Sequence, residues 1–405
     1  MRYRVLACAS LIALAGCHFQ ADAPGEAPAG VTAVAGDGRA VVSFDPQPDL
    51  TYWIFYQPGS SVASVSPGVP ILRGAVSPQV VANLANGTQY AFVMNATRDD
   101  SSAGPSSAIV TAIPRLAGAS WVSGAALGAL PQNLNGLAFN GTRLVAVGNS
   151  AAVFAGDYHY ASTTPPGVTA WLPPTAFPAG FASNLSSVIY SGQFISLGAN
   201  GSILTSADGL SWTLTANLIP STGMNSIVFA APFYVAVGNG GKIFTSTDLA
   251  AWAQPASNTI EDLYSIAFLN GRLIATGANG TLLTSADAAA WSAQVSNAPN
   301  ALRGAAFAAL TSGPQYVVVG DAGTIVTSSD AVTWSPIAPP LAANLSTVVF
   351  GSRFVAVGQG GAAAYSDDGL SWTQTTAGST DLASVLFTPG MYIAVGAAGA
   401  NVVSK

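Results

Sequence analysis

Very little in this chain can do covalent or metal chemistry. Its 405 residues include 2 cysteines, Cys8 and Cys17, and 2 histidines, His18 and His159. A tetrahedral zinc site draws on Cys and His ligands that are not supplied here, so no metal or other cofactor is expected. A Ser/His/Asp triad fails for the same want of histidine. Charged residues make up only 7% of the chain, and the formal net charge is −6. A basic footprint for a polyanion is missing, which excludes nucleic acid as a partner. Low charge does not mean disorder here, because hydrophobic residues reach 50% and disorder needs low hydrophobicity with high charge. No glycine loop for cradling phosphate is found. The Val-Gly-Asn and Gly-Gly pairs read as hairpin turns.

The first residues have the pattern of a targeting segment. Arg2 and Arg4 precede an apolar run from Val5 to Ala15, which is too short for an ordinary transmembrane helix. The run ends in Leu14-Ala15-Gly16-Cys17, which resembles the bacterial lipoprotein signal box. The resemblance implies a signal peptide over residues 1–16, cleavage before Cys17 and lipidation of Cys17, so that a lipid anchor makes the membrane a partner. Cys17 is then the one cysteine left, and no intrachain disulfide forms. His18 stands where Asp commonly marks inner-membrane retention in Gram-negative lipoproteins, so the outer membrane is the expected location in the cell envelope. Residues 17–30, rich in Ala, Pro and Gly, read as a flexible tether.

A repeat dominates the rest. Thr205-Ser206-Ala207-Asp208-Gly209-Leu210-Ser211-Trp212 returns around Ser246, Asp248 and Trp252, around Ser285, Asp287 and Trp291, around Ser328, Asp330 and Trp334, and around Ser366, Asp368 and Trp372. Successive Trp residues are 40, 39, 43 and 38 positions apart. A period near 40 with strand-like patterning indicates a repeat architecture. Seven opening strands run from Leu or Met to an aromatic residue: Leu134 to Phe139, Leu185 to Tyr190, Met224 to Phe229, Leu263 to Phe268, Leu302 to Phe307, Leu345 to Phe350 and Leu382 to Phe387. Each unit reads as four strands, the fourth beginning at the Trp. The last unit stops at Asn401–Lys405 without a Trp, while Trp121 precedes the first unit with no opening strand of its own. Pairing the strand around Trp121 with the carboxy-terminal tail removes both exposed edges. The expectation is a seven-bladed β-propeller over residues 116–405, closed by its N- and C-terminal strands.

The Ser-x-Asp…Trp turn resembles the Asp-box of sialidase-like and photosystem II assembly-factor-like propellers. Its Ser and Asp side chains are expected to accept bonds from turn N–H groups, and its Trp to pack between blades. These residues are therefore read as structural. Upstream, residues 31–114 resemble a fibronectin type III domain. The resemblance rests on Val31–Val34, the turn Gly36-Asp37-Gly38, Ala40–Phe44, Tyr52–Tyr56 and Leu84–Met94, with Tyr90 as the tyrosine corner. The whole is an all-β chain, a sandwich followed by a propeller.

Chemistry is expected at the end of the propeller that carries the blade-to-blade loops and the turns between second and third strands. The turns supply Asn149, Asn200, Asn239, Asn279, Asp321 and Gln359. The entrances to the opening strands supply Asn133, Asn184, Asp262, Arg303, Asn344 and Asp381, with Tyr264 close by. Asp262, Tyr264, Arg303, Asp321 and Asp381 form the candidate ligand-binding rim. No catalytic residue is assigned. The sialidase-like resemblance would require three arginines about the substrate, yet Arg143, Arg272 and Arg353 lie on the Asp-box side and Glu261 is the one glutamate of the propeller. The expected function is a non-catalytic binding or assembly module for an envelope protein or glycan. The alternative is an envelope polysaccharide hydrolase or lyase, with Asp262 and Asp381 facing each other across the channel. A longer stretch replaces the box between Val153 and Trp171, and Phe177 and Phe181 follow it.

Overall fold

The computed structural model describes residues 23–62, 68–98, 102–125, 132–159, 167–168, 170–217 and 223–404. The signal segment, Cys17 and the start of the tether lie outside them, as does the core of the replaced box at 160–166. By contact the chain divides into two compact units. The first gathers Val42–Gln79 and Gln89–Ala112 with the residues preceding Val34. The second gathers Val34–Val41, Val80–Thr88 and Ile113 onward.

Toward the N-terminus a three-stranded sheet takes the order Thr32–Gly36, Arg39–Ser43, Gln79–Val81. A four-stranded sheet takes the order Ile71–Ala75, Thr51–Pro58, Tyr90–Thr97, Val110–Ala112. The central strand Tyr90–Thr97 is buried at every position, as a strand flanked on both sides and apolar on both faces should be. Within the first unit the Phe44 and Tyr52 rings sit 4.5 Å apart, and the Tyr52 hydroxyl accepts the Gln47 N–H.

The second unit carries seven antiparallel sheets among the described residues, each opening at one of the predicted Leu or Met positions. In most the strands lie in chain order, so each sheet is a meander. The opening strands contact one another in succession from Leu134–Phe139 to Leu382–Thr388, and the last contacts the first. The seventh sheet is completed by a strand from far upstream. Trp121–Ser123 pairs antiparallel with Asn401–Ser404, Trp121 opposite Ser404 and Ser123 opposite Val402. Side chains secure this pairing. Ser404 Oγ accepts from Gly118 N and donates to Ser120 O at 2.6 and 2.7 Å, and Asn401 Nδ2 donates to Ala125 O. Tyr158 of the first sheet donates its hydroxyl to Pro389 O of the seventh and accepts from Thr388 Oγ1. Burial there pushes its pKa up to about 12.

Two expectations are corrected. The Trp does not open the fourth strand. It precedes it, as in Thr213–Asn217, Ser335–Ile337 and Thr373–Thr376, because the indole is taken up by the core between sheets. Trp212 packs with Val145 and Val147 of the first sheet and Leu185 and Phe194 of the second, and Trp334 with Ile274 and Leu282 of the fourth and Tyr316 and Val326 of the fifth. The third sheet has three strands, not four. Only Thr245 and Ala253 bridge at its outer edge. Pro255 stands where Gln294 of the next sheet donates to Leu282 O, and proline has no N–H to give.

The repeated turn closes on itself. Ser206 Oγ accepts from Gly209 N, and Asp208 Oδ1 accepts from Leu210 N and Ser211 N at 2.8 Å. The same set recurs at Asp248, Asp287, Asp330 and Asp368. Trp212, Trp252, Trp291 and Trp372 donate Nε1–H to the carbonyl three residues back. The longer segment after Trp171 is tied to the first of these turns, that of Asp208 in the second sheet. Thr175 N donates to Leu210 O and Trp212 N to Ala176 O, with the Phe177 and Phe181 rings 5.8 Å apart and packed on the neighbouring core.

The N–H groups of Thr333 and Val332 lower the Asp330 pKa to about 2. Equivalent backbone bonds lower Asp208, Asp248 and Asp287. At Asp368 burial opposes, but the N–H groups of Ser371 and Leu370 outweigh it. A folded-state pKa below the unfolded one stabilises fully above the unfolded value, and this stability disappears as pH falls through the folded value. The melting temperature should therefore hold from about pH 7 to about pH 5 and drop between about pH 4 and pH 2. Asp330→Asn, which cannot ionise, should flatten part of that drop. Melting curves that are level down to pH 2 would contradict the role of these turns.

Candidate functional site

The opposite end of six of the seven sheets is governed by a close approach of backbone. The second strand ends in Gly148, Gly198, Gly238, Gly277, Gly320, Gly358 or Gly396. A Cβ at Gly277 would overlap the carbonyl oxygen of Asp262, and one at Gly396 that of Asp381. A tight turn follows, and in several sheets its central residue is left-handed, as at Ser150, Ala322 and Ala398 with φ of 53°, 53° and 51°. This conformation is costly for residues with a Cβ.

The N–H of that central residue is answered from the adjacent sheet. Asn184 Oδ1 accepts from Ser150 N, Asp262 Oδ1 from Gly240 N, Asn344 Oδ1 from Ala322 N and Asp381 Oδ1 from Gly360 N, at 2.7–2.9 Å. Asn133 Oδ1 accepts from Ala398 N at 3.0 Å, so the first sheet clasps the seventh. In each case the acceptor is the residue directly before the opening-strand Leu. Five of the six residues expected to form a ligand rim at the strand entrances are thus engaged in joining sheet to sheet, Arg303 being the exception. At the two remaining entrances stand Gly223 and Ala301, which carry no acceptor.

The next residue along is placed by a bulge. Each opening strand slips register by one residue just after its Leu or Met. The extra residue is Asn135, Ser186, Asn225, Tyr264, Arg303, Ser346 or Ala383, and a bulge re-aims the side chain it carries. The first three reach across to the next sheet. Asn135 Nδ2 donates to Leu185 O, Ser186 Oγ to Met224 O and Asn225 Nδ2 to Leu263 O at 2.7–2.8 Å. The other four line a pocket of about 400 Å³ together with Asn344, Gln359 and Asp381.

Arg303 is held firmly in this pocket. Its Nη2 donates to Asp321 Oδ2 at 2.9 Å and its Nε to Asp321 Oδ1. Its guanidinium lies 4.9 Å from the Tyr264 ring centre, within cation–π reach. The Asp321 hydrogen bond raises the Arg303 pKa against the effect of burial. Of the five expected rim residues, Tyr264, Arg303 and Asp381 line the pocket. Asp321 supports Arg303 from behind, and Asp262 belongs to a clasp outside the lining. Asp262 and Asp381 therefore do not share the pocket as a carboxylate pair. Arg143 and Arg353 lie at the other end, as expected. Arg143 bonds Asp157 and Asp208 O, and Arg353 pairs with Asp367 at 2.6 Å while stacking 4.3 Å from the Tyr365 ring. Among the described residues no group of His, Cys, Asp and Glu could hold a metal ion. Sequence reasoning missed the clasp and the bulge. The signal for the clasp was Asn or Asp immediately before Leu at five of the seven openings.

No family model matches the chain, and no curated protein matches it in sequence. Solved structures do match. The chain is similar to YCF48 bound to D1 peptide, with a TM-score of 0.55 at 17% identity, over 71% of this chain and 96% of that one. It is similar to YCF48 from Cyanidioschyzon merolae, with a TM-score of 0.53 at 16% identity, over 70% and 98% of the two chains. It is also similar to the WD40 β-propeller domain of Doa1, with a TM-score of 0.55 at 12% identity, over 71% and 97%. At these identities the fold is what is shared, and it is a β-propeller.

A clasp can be removed singly. Asn133→Ala should cost about 1 kcal/mol, a fall of roughly 1–3 °C in melting temperature for a chain of this size. Asn133→Asp, which keeps the acceptor, should melt close to the original. Equal melting of the Ala variant and the original protein would show that the clasp contributes nothing.

Proposed function

We propose that the propeller is a non-catalytic module that binds a protein partner through the end carrying Tyr264, Arg303 and Asp381. The carrying observation is how the polar groups there are used. Asp262 and Asp381 each hold a neighbouring turn, Asp321 holds Arg303, and no pair of carboxylates shares the pocket, as hydrolysis of a glycosidic bond would require. What remains is a fixed, shaped polar surface, which suits recognition. The fold shared with YCF48, one structure of which holds D1 peptide, supports a protein as the partner class. Fold alone would not suffice for this reading.

On this reading the seven sheets are seven blades. The pairing of Trp121–Ser123 with Asn401–Ser404 and the succession of opening-strand contacts support a ring closed at the seventh blade. The Ser-x-Asp turns are Asp-boxes with a structural role. Residues 31–114 are a fibronectin type III domain acting as a stalk, a reading supported by the division of seven strands into sheets of three and four. The chain is a cell-envelope lipoprotein anchored through Cys17, for which the support is the Arg2, Arg4 and Leu14–Cys17 pattern.

The test uses the immobilised full chain and detergent-solubilised envelope proteins from the source cells. A protein retained by the original chain should be lost from a Tyr264→Ala/Arg303→Ala double variant that melts within a few degrees of it. Retention by both would overturn the assignment of the surface. Release of reducing ends from envelope polysaccharide would overturn the non-catalytic reading.

A further inference from the structure

The five clasps do one task with two chemistries. Asn133, Asn184 and Asn344 hold their turns with a neutral amide oxygen, while Asp262 and Asp381 use a carboxylate. The geometry is the same, with one Oδ1 and one backbone N–H at 2.7–3.0 Å. The clasp therefore needs an acceptor but not a charge, and the negative charge on Asp381 is surplus to it. Only Asp381 of the two carboxylates lines the pocket.

The other charge in the pocket lining is already compensated. Arg303 donates twice to Asp321, so the Arg303–Asp321 pair carries no net charge and Asp381 is the one lining charge with no ionic partner beside it among the described residues. The chain as a whole carries a formal net charge of −6, which adds an attraction for cations at longer range. The pocket also offers the Tyr264 ring, Ser346 and the Gln359 amide beside that carboxylate. Arg303 already covers a face of that ring, so the neutral hydrogen-bonding groups and the one carboxylate are what suit a guanidinium or ammonium at the end of an apolar stem.

We propose that the pocket between the fourth and seventh sheets receives a basic side chain, arginine or lysine, of the partner protein, with Asp381 as its counter-charge. The site is off-centre. Asn135, Ser186 and Asn225 occupy the corresponding bulges of the first three sheets and spend their side chains on the neighbouring backbone, leaving the fourth to seventh sheets to make contact. This inference rests on the reading of the propeller as a protein-binding module and narrows it to one class of side chain.

The test is fluorescence anisotropy with the full chain and three capped nonapeptide probes. One probe carries three arginines, one carries three glutamates and one is an uncharged glutamine peptide. The arginine probe should bind at least about tenfold more tightly than the other two. Asp381→Asn keeps the clasp acceptor, as Asn does at three equivalent positions, and should lower arginine-probe affinity about five- to tenfold with unchanged melting. It should also reduce the salt dependence. Asp262→Asn removes the same charge from a clasp outside the pocket and should shift affinity less than twofold. Equal losses in the two variants would reduce the effect to net charge and overturn the proposal, as would tighter binding of the glutamate or glutamine probe. Neither result would touch the module reading, which stands or falls on retention of the envelope partner.

Discussion

The arrangement depends on a backbone N–H of five of the seven sheets being answered from the next sheet. A left-handed residue at the tip of the second turn presents its N–H outward, and the side chain entering the adjacent opening strand accepts it. Five such bonds are present, and the bond from Ala398 N to Asn133 Oδ1 spans nearly the whole second unit in sequence. Each bond is small by itself, about 1 kcal/mol. Their value lies in position. They tie the turn of one sheet to the start of the next opening strand, whereas the bulge recurs in all seven sheets, including those entered at Gly223 and Ala301.

The two ends of the sheets divide the labour. At one end the Ser-x-Asp turns close their bonds within a single hairpin and send a Trp into the seam between sheets. At the other end the bonds run between sheets, and the side chains left over define a surface. Both ends use Asp, but for different reasons. Asp208 and its counterparts accept two adjacent N–H groups, and this lowers their pKa. Asp381 accepts one N–H, for which Asn serves as well elsewhere.

Much of the architecture was legible because it repeats. The opening Leu or Met, the Gly at the end of the second strand and the Ser-x-Asp…Trp turn each recur at nearly constant spacing, and the lone Trp121 pointed to its missing partner strand. The polar rim was less legible. Asn and Asp at strand entrances look alike whether they face a ligand or a neighbouring turn, and only the bond from Gly360 N to Asp381 shows which oxygen is engaged. The bulge was hidden for another reason. A one-residue slip leaves the alternation of apolar residues nearly intact, so Tyr264 and Arg303 read as rim residues at strand entrances with no sign of the bulge that aims them. Pro255 did carry a readable signal, since a proline three residues past the Trp forbids the ladder bond that Gln294 makes in the next sheet.

Closure is the claim on which the pocket and both ends depend, and hydrogen exchange tests it directly. Amides in a strand that is integral to the fold exchange only when the whole unit opens. Exchange followed by mass spectrometry on peptides covering 118–125 and 399–404 should be as slow as on the central strands of the fourth and fifth sheets. Exchange of those two segments within seconds, with the central strands still protected, would show ends that are not joined and would contradict the account.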